Sequence, residues 1–276
     1  MCMTDCESEA QQRHAKRSRF CTGLQLMALK QISAVLMVRD AELTLAATLD
    51  SLKRFGEVVV FDNGSKDKTL EIAGRYPNVA IHKGEFSGFG PTRNKAASLA
   101  KNDWVFSIDA DEVPDEALLA ALDAVMLERG GVAYCVERQN YLLGKRVKHS
   151  GWGSQWLTRL YDRKDHAFTD VAVHEKVHLK EGEEAAKLAG TLKHMPMQDA
   201  GDFLVKMHRY TMLKAGESRR TYPPVIILLK TFWAFIRSYI LRLGILDGWR
   251  GVLISVSEAN GVFYKYMVIY SKRDKA

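Results

Sequence analysis

Four apolar runs alternate with helix-like segments between residues 31 and 138, and this alternation restricts the fold more than any other feature. ISAVLMV (32–38), EVVVFD (57–62), NVAIH (78–82) and WVFSID (104–109) read as strands. The first is apolar throughout, as expected of a strand covered on both faces. Leu45, Leu49 and Leu52, with Phe55, recur at helical spacing before Gly56, and DKTLEIAGRY (67–76) and TRNKAASLAK (92–101) read as further helices. A β-α-β-α-β-α-β order predicts a parallel sheet with helices on its faces. Residues 131 to about 180 change to shorter strands: GVAYCVER, GKRVKHS, QWLTRLYD and VHEKVHL.

Ligands of such sheets sit at the carboxyl ends of the strands. Asp40, Asp62 and Asp109 all lie just past strand ends, so three carboxylates are expected along one rim. Taken singly, Asp62 could be an Asx-turn residue and Asp40 a helix N-cap. Asp109 and Asp111 flank Ala110, and carboxylates at i and i+2 of an extended chain can reach one hard cation, Mg2+ or Mn2+. An EF-hand is a poor alternative, because DADEVPDEALLA lacks the required glycine and contains Pro114. A dehalogenase-type phosphatase would carry its Asp-x-Asp on the first strand, not the fourth.

Charge is unevenly spread. Residues 201–276 hold 13 Lys/Arg and 5 Asp/Glu, a local +8, whereas the first 200 residues hold 27 and 28. VIILLKTFWAFIRSYILRL (225–243) is apolar but interrupted by Lys230, Arg237 and Arg242. Such a helix can lie in a membrane interface with its cations near lipid phosphates, or pack on the protein with its arginines in water. Charges near its middle argue against spanning. No nucleic-acid motif accompanies the charge, so a nucleic-acid partner is not expected. The four cysteines form no CxxC pair and read as reduced thiols of a cytosolic protein. Residues 1–29 read as a disordered leader without a signal peptide, and translation could also begin at Met27.

Four motifs in order, ISAVLMVRDAELTLAATLDSL, VVVFDNGSKDKTLEIA, GFGPTRN and SIDADE, resemble the nucleotide-sugar half of family 2 glycosyltransferases. The resemblance implies a GT-A fold, a Rossmann-like mixed α/β sheet over residues 30–198, followed by a basic, amphipathic helical membrane-associating extension over 199–276. It implies a UDP-sugar donor, with Asp62 at the uracil or ribose, Arg93 at the diphosphate, and Asp109 and Asp111 holding the metal-diphosphate. Asp40 stands where the family has Asn, as a further nucleotide-sugar contact. Inverting transfer also needs a base, and FTDVAVHEKVHL offers Glu175, with Asp170 as competitor and His174 nearby. SYILRLGILDGWRGVLISVSEANGVFYKY, with VHEKV, is similar to bacterial lipopolysaccharide inner-core β-glucosyltransferases. That likeness implies transfer of glucose from UDP-glucose to a core heptose, at an anionic membrane surface on the cytoplasmic face of the inner membrane. Polyprenyl phosphate or another glycolipid is the alternative acceptor, and an inactive sugar-nucleotide-binding module the alternative to an enzyme.

Overall fold

In the computed structural model, residues 25–128, 131–170, 176–197, 199–217 and 220–273 are described. Strands β1 (Ile32–Val38), β2 (Glu57–Asp62), β3 (Val79–Lys83) and β4 (Trp104–Asp109) alternate with helices α1 (Leu45–Ser51), α2 (Thr69–Ala73) and α3 (Phe89–Ser98). The strands pair in the order β3-β2-β1-β4, all parallel. Side chains along them divide between two cores by the two-residue period of a strand. Ile32, Ala34, Leu36 and Val38 face a core shared with Leu45 and Leu49 of α1 and with Leu52 just after it, while Val35 faces one shared with Ala96 and Ala97 of α3. Both faces are therefore covered, which is why β1 tolerates an unbroken apolar run.

Beyond β4 come β5 (Glu112–Pro114), α4 (Glu116–Asp123), β6 (Tyr134–Leu142), β7 (Lys145–Arg146), β8 (Gln155–Asp162) and β9 (Ala186–His194). They extend the sheet in the order β4-β8-β6-β9-β5, with β7 on β6, and β8 runs antiparallel to β4. The sheet is thus mixed. Strand β9 has no counterpart in the sequence reading: lysines interrupt it and Gly190 sits at φ +87° against the backbone of Leu118. Within the expected strand VHEKVHL, residues 173–175 lie outside the described residues, and Val177 makes an isolated bridge with Phe168.

The chain divides into two units, residues 1–138 with 156–192, and 139–155 with 193–276. The second contains α5 (Asp202–Glu217), α6 (Pro224–Ile236), a continuing π-helical turn (Arg237–Leu241) and α7 (Trp249–Arg273). Helix α7 packs against both α5 and α6. Leu142, Val147, Met197, Phe203 and Ile254 form its core, with Trp152 stacked on Phe203 at 5.5 Å. Residues 139–155 are tied in by polar contacts. Arg250 donates to the carbonyls of Leu142 and Leu143, and Asp247 accepts the His149 backbone N–H.

Candidate active site

Register places the acidic rim. Asp62 pairs beside Val38 and Asp109 beside Met37, so the two residues end their strands within one residue of each other on either side of β1, with backbones about 10 Å apart. Asp40 follows β1 by two residues and adopts a left-handed backbone, φ 50°. Its N–H donates to Ser65 Oγ, and its carboxylate accepts the Lys66 N–H at 2.8 Å. Asp40 therefore joins the loop after β1 to the loop after β2. Glu42 and Asp67 repeat that exchange, with the Lys68 N–H donating to Glu42 and the Glu42 N–H to Asp67. Desolvation raises the Asp67 carboxyl, but hydrogen bonds from Thr69 and Glu42 outweigh it and hold the group below its ordinary value.

Asp62 is buried and accepts the N–H groups of Gly64 and Ser65 at 3.2 and 3.0 Å, the Asx-turn arrangement. Gly64 sits at φ +93°, which a side chain would oppose. Beside it, the buried Oδ1 of Asn63 has no hydrogen-bond partner among the described residues.

Asp109 lies between two guanidinium groups. Arg93, projecting from α3, reaches Oδ1 at 2.6 Å and Ser107 Oγ at 3.2 Å. Arg159, from β8, reaches Oδ2 at 3.1 Å. The same Arg159 nitrogen donates to Glu112 at 2.7 Å, and Arg138 lies 3.4 Å from that carboxylate. Glu112 is wholly buried and also accepts the Asp109 backbone N–H. Burial pushes the Arg159 guanidinium down, while Glu112 and Asp109 offset this and leave it above its ordinary value. The crowded carboxylates are therefore paid for by cations from three separate elements. Arg138, Arg159 and the structural part of Glu112 were not assigned from sequence. The available signal was an arginine within the otherwise strand-like QWLTRLY.

Asp111 is partly buried two residues beyond Asp109. Asp170 is exposed, whereas Glu175 and His174 lie outside the described residues. Asn94, next to Arg93, holds the chain leading to Asp170: its side chain donates to the Phe168 carbonyl at 2.9 Å and accepts the Phe168 N–H at 2.8 Å. The Phe168 ring lies 5.4 Å from the Arg93 guanidinium.

The donors suit a hard divalent cation. Asp109 and Asp111 offer only oxygen, and no cluster of three metal-ligating side chains occurs among the described residues. Mg2+ and Mn2+ fit such a pair, because one or two carboxylates suffice when waters and substrate phosphates complete the shell. A phosphorylated ligand also suits the buried Arg159 Nε, which has no hydrogen-bond partner among the described residues.

The model of glycosyl transferase family 2 matches residues 33–184, more than half of the chain. This chain belongs to glycosyl transferase family 2. It is a glycosyltransferase, and its mixed sheet with C-terminal helices is of the GT-A type. The lipopolysaccharide core biosynthesis glycosyltransferase LpsC of Rhizobium meliloti is 27% identical over 86% of this chain and 89% of LpsC. An uncharacterized glycosyltransferase of Rickettsia prowazekii, RP128, is 23% identical over 89% of this chain and 88% of its own length. Among solved structures, the glycosyltransferase is similar to S. aureus TarS 1-349 in complex with UDP-GlcNAc: 17% identity, 89% of this chain, 92% of that one, TM-score 0.45. It is also similar to glucosyl-3-phosphoglycerate synthase from Mycobacterium tuberculosis in complex with Mn2+ and UDP-glucose: 21% identity, 44% and 47% coverage, TM-score 0.34.

Proposed function

We propose that this family 2 glycosyltransferase moves a hexose, glucose from UDP-glucose, with inversion onto the inner-core heptose of lipopolysaccharide. The observation that carries the donor half is the constellation of Asp109, Arg93 and Arg159 at the carboxyl end of β4, with Asp111 beside it. The acceptor half is supported by the likeness to LpsC over most of both chains. Residues 30–198 are assigned to catalysis and 199–276 to association with an anionic membrane surface, on the cytoplasmic face of the bacterial inner membrane.

Asp62 and Asn63, with Asp40 behind them, form the nucleoside end of the rim. Arg93 and Arg159 place positive charge where the diphosphate would lie, and Asp109 fixes the direction of both guanidiniums. Asp109 and Asp111 would hold Mg2+ or Mn2+. When bound, that cation supplies Lewis-acid stabilisation to the departing diphosphate. Glu175 or Asp170 takes the proton of the acceptor hydroxyl, whose oxygen attacks the anomeric carbon from the face opposite the diphosphate. The Asn94 clamp on Phe168 holds the chain two residues before Asp170.

A UDP-release screen of sugar nucleotides against truncated lipopolysaccharides and polyprenyl phosphate tests this reading. UDP-glucose with a heptose-terminated acceptor is expected to give the highest rate. Asp109→Ala should lower it by roughly 10²-fold or more. Of Glu175→Gln and Asp170→Asn, the one at the base should cost roughly 10²–10⁴-fold. No UDP release from any donor would reduce the protein to a binding module. Full activity in a chelator with Asp111→Asn would remove the metal from the mechanism.

A further inference from the structure

Helix α6 is inside-out. Five of its large apolar side chains, Val225, Leu228, Leu229, Phe232 and Trp233, fall within an arc of about 140° at 100° per residue. That arc faces outward: Leu228 is 58% exposed, Phe232 65% and Trp233 57%. The exposed face continues around the turn before α7 through Leu241, Leu243 and Leu246 to Trp249. The polar and small residues, with the fully buried Ile227, point the other way. Ser238 is fully buried and accepts a hydrogen bond from Ser255 of α7, itself fully buried. Lys230 lies over the rings of Tyr222 and Tyr266, and Arg237 pairs with Glu258. At Gly251 the backbone of α7 comes so close to Gly244 that a Cβ would fall 1.8 Å from its carbonyl oxygen. In water the opposite polarity is expected, with the apolar stripe on the core. Small residues and serines between helices, with large apolar side chains outside, suit surroundings that are themselves apolar.

From this we infer that the outer face of α6 and the turn 241–249 form the seat by which the protein sits in the surface of an anionic lipid bilayer, embedded by its side chains and not merely attracted by its charge. The inference rests on the membrane association proposed above and changes its geometry: Lys230 and Arg237 serve the packing of α6 on α7, while Phe232, Trp233 and Leu246 enter the lipid. Charge selects the occupant. Besides Lys230 and Arg237, the chain between Glu217 and Asp247 carries Arg219, Arg220 and Arg242 and no acid, complementary to anionic headgroups and repulsive to a second copy of the same face. Pro224–Leu241 is long and apolar enough to cross a membrane, but its polar side is engaged by α7, so it lies in the plane of the interface.

The test floats the full-length protein with phosphatidylethanolamine/phosphatidylglycerol vesicles at 0.1 and 1 M NaCl. Binding should persist at 1 M NaCl, and brominated acyl chains should quench tryptophan emission. The double substitution Phe232→Glu/Trp233→Glu should lower partitioning by about tenfold or more. Its melting temperature and lipid-free UDP release should stay at wild-type values, because both side chains are exposed. Four results would overturn the inference: no flotation, flotation abolished by 1 M salt, unchanged flotation of the variant, or a lipid-free dimer that the variant dissociates. Protease access to both ends of α6 from opposite sides of the bilayer would also overturn it. UDP release is read separately, so failure of the proposed transfer reaction is distinguishable from failure of the seat.

Discussion

Glu112 occupies a position where no water can share its charge. Arg159, Arg138 and the Asp109 backbone N–H surround the carboxylate in their place. Two like-charged neighbours, Asp109 and Glu112, are held together by one nitrogen of Arg159. Such a pair is asymmetric in energy: making it yields little, but removing one member leaves a buried charge without its counterpart. Glu112→Gln should therefore cost about 3 kcal/mol in urea unfolding. It should also lower the rate of UDP release, because Asp109 loses the frame that aims it. The aspartates of SIDADE were legible in the sequence as a site. Arg159 was not, because its partnership requires β8 to lie antiparallel to β4, with Leu160 opposite Phe106, and nothing local encodes that pairing.

Among the elements, the stretches 166–170 and 176–183 are each fastened to the rest of the protein. The first is fastened by Asn94, which imitates a strand partner for Phe168. Asn94→Ala should free Phe168 and lower kcat for transfer by about tenfold, with the donor KM little changed, because Asn94 holds the chain two residues before the candidate base Asp170. The second is fastened by Glu183, which accepts from His166, Lys180 N–H and Ala133 N–H. Desolvation pushes the Glu183 carboxyl up, but these hydrogen bonds, led by that of His166, bring it down to about 2. A carboxyl lower in the folded than in the unfolded chain stabilises above its ordinary value of 4.5. That contribution fades as pH falls from there toward 2. Glu183→Gln should thus melt at a lower temperature at pH 7 and lose less of its melting temperature between pH 4.5 and 2, as circular dichroism would record.

Across the molecule, legibility follows the distance over which contacts are made. The first four strands were readable because each carries a short apolar run, and β1–β2 and β2–β3 pair with their neighbours in sequence. The C-terminal helices were readable as well, but not their union with residues 139–155, which are fastened to Arg242, Asp247 and Arg250, about 100 positions away. The tail shows a different limit. Periodicity separates the apolar residues from Lys230 and Arg237, but it cannot say which face meets protein, and these two cations turn to Glu258 of α7, Tyr222 and Tyr266. The spread of the carboxylate cluster's cations along the chain has a consequence for synthesis. A ribosome makes Asp109, Asp111 and Glu112 well before Arg138 and nearly 50 residues before Arg159. Until β8 emerges, Glu112 cannot enter the interior without leaving an unmatched charge there. The nascent chain therefore has a reason to wait, and a fragment ending at Ser150 should be cleaved by protease throughout β1–β4, whereas one ending after Leu192 should resist.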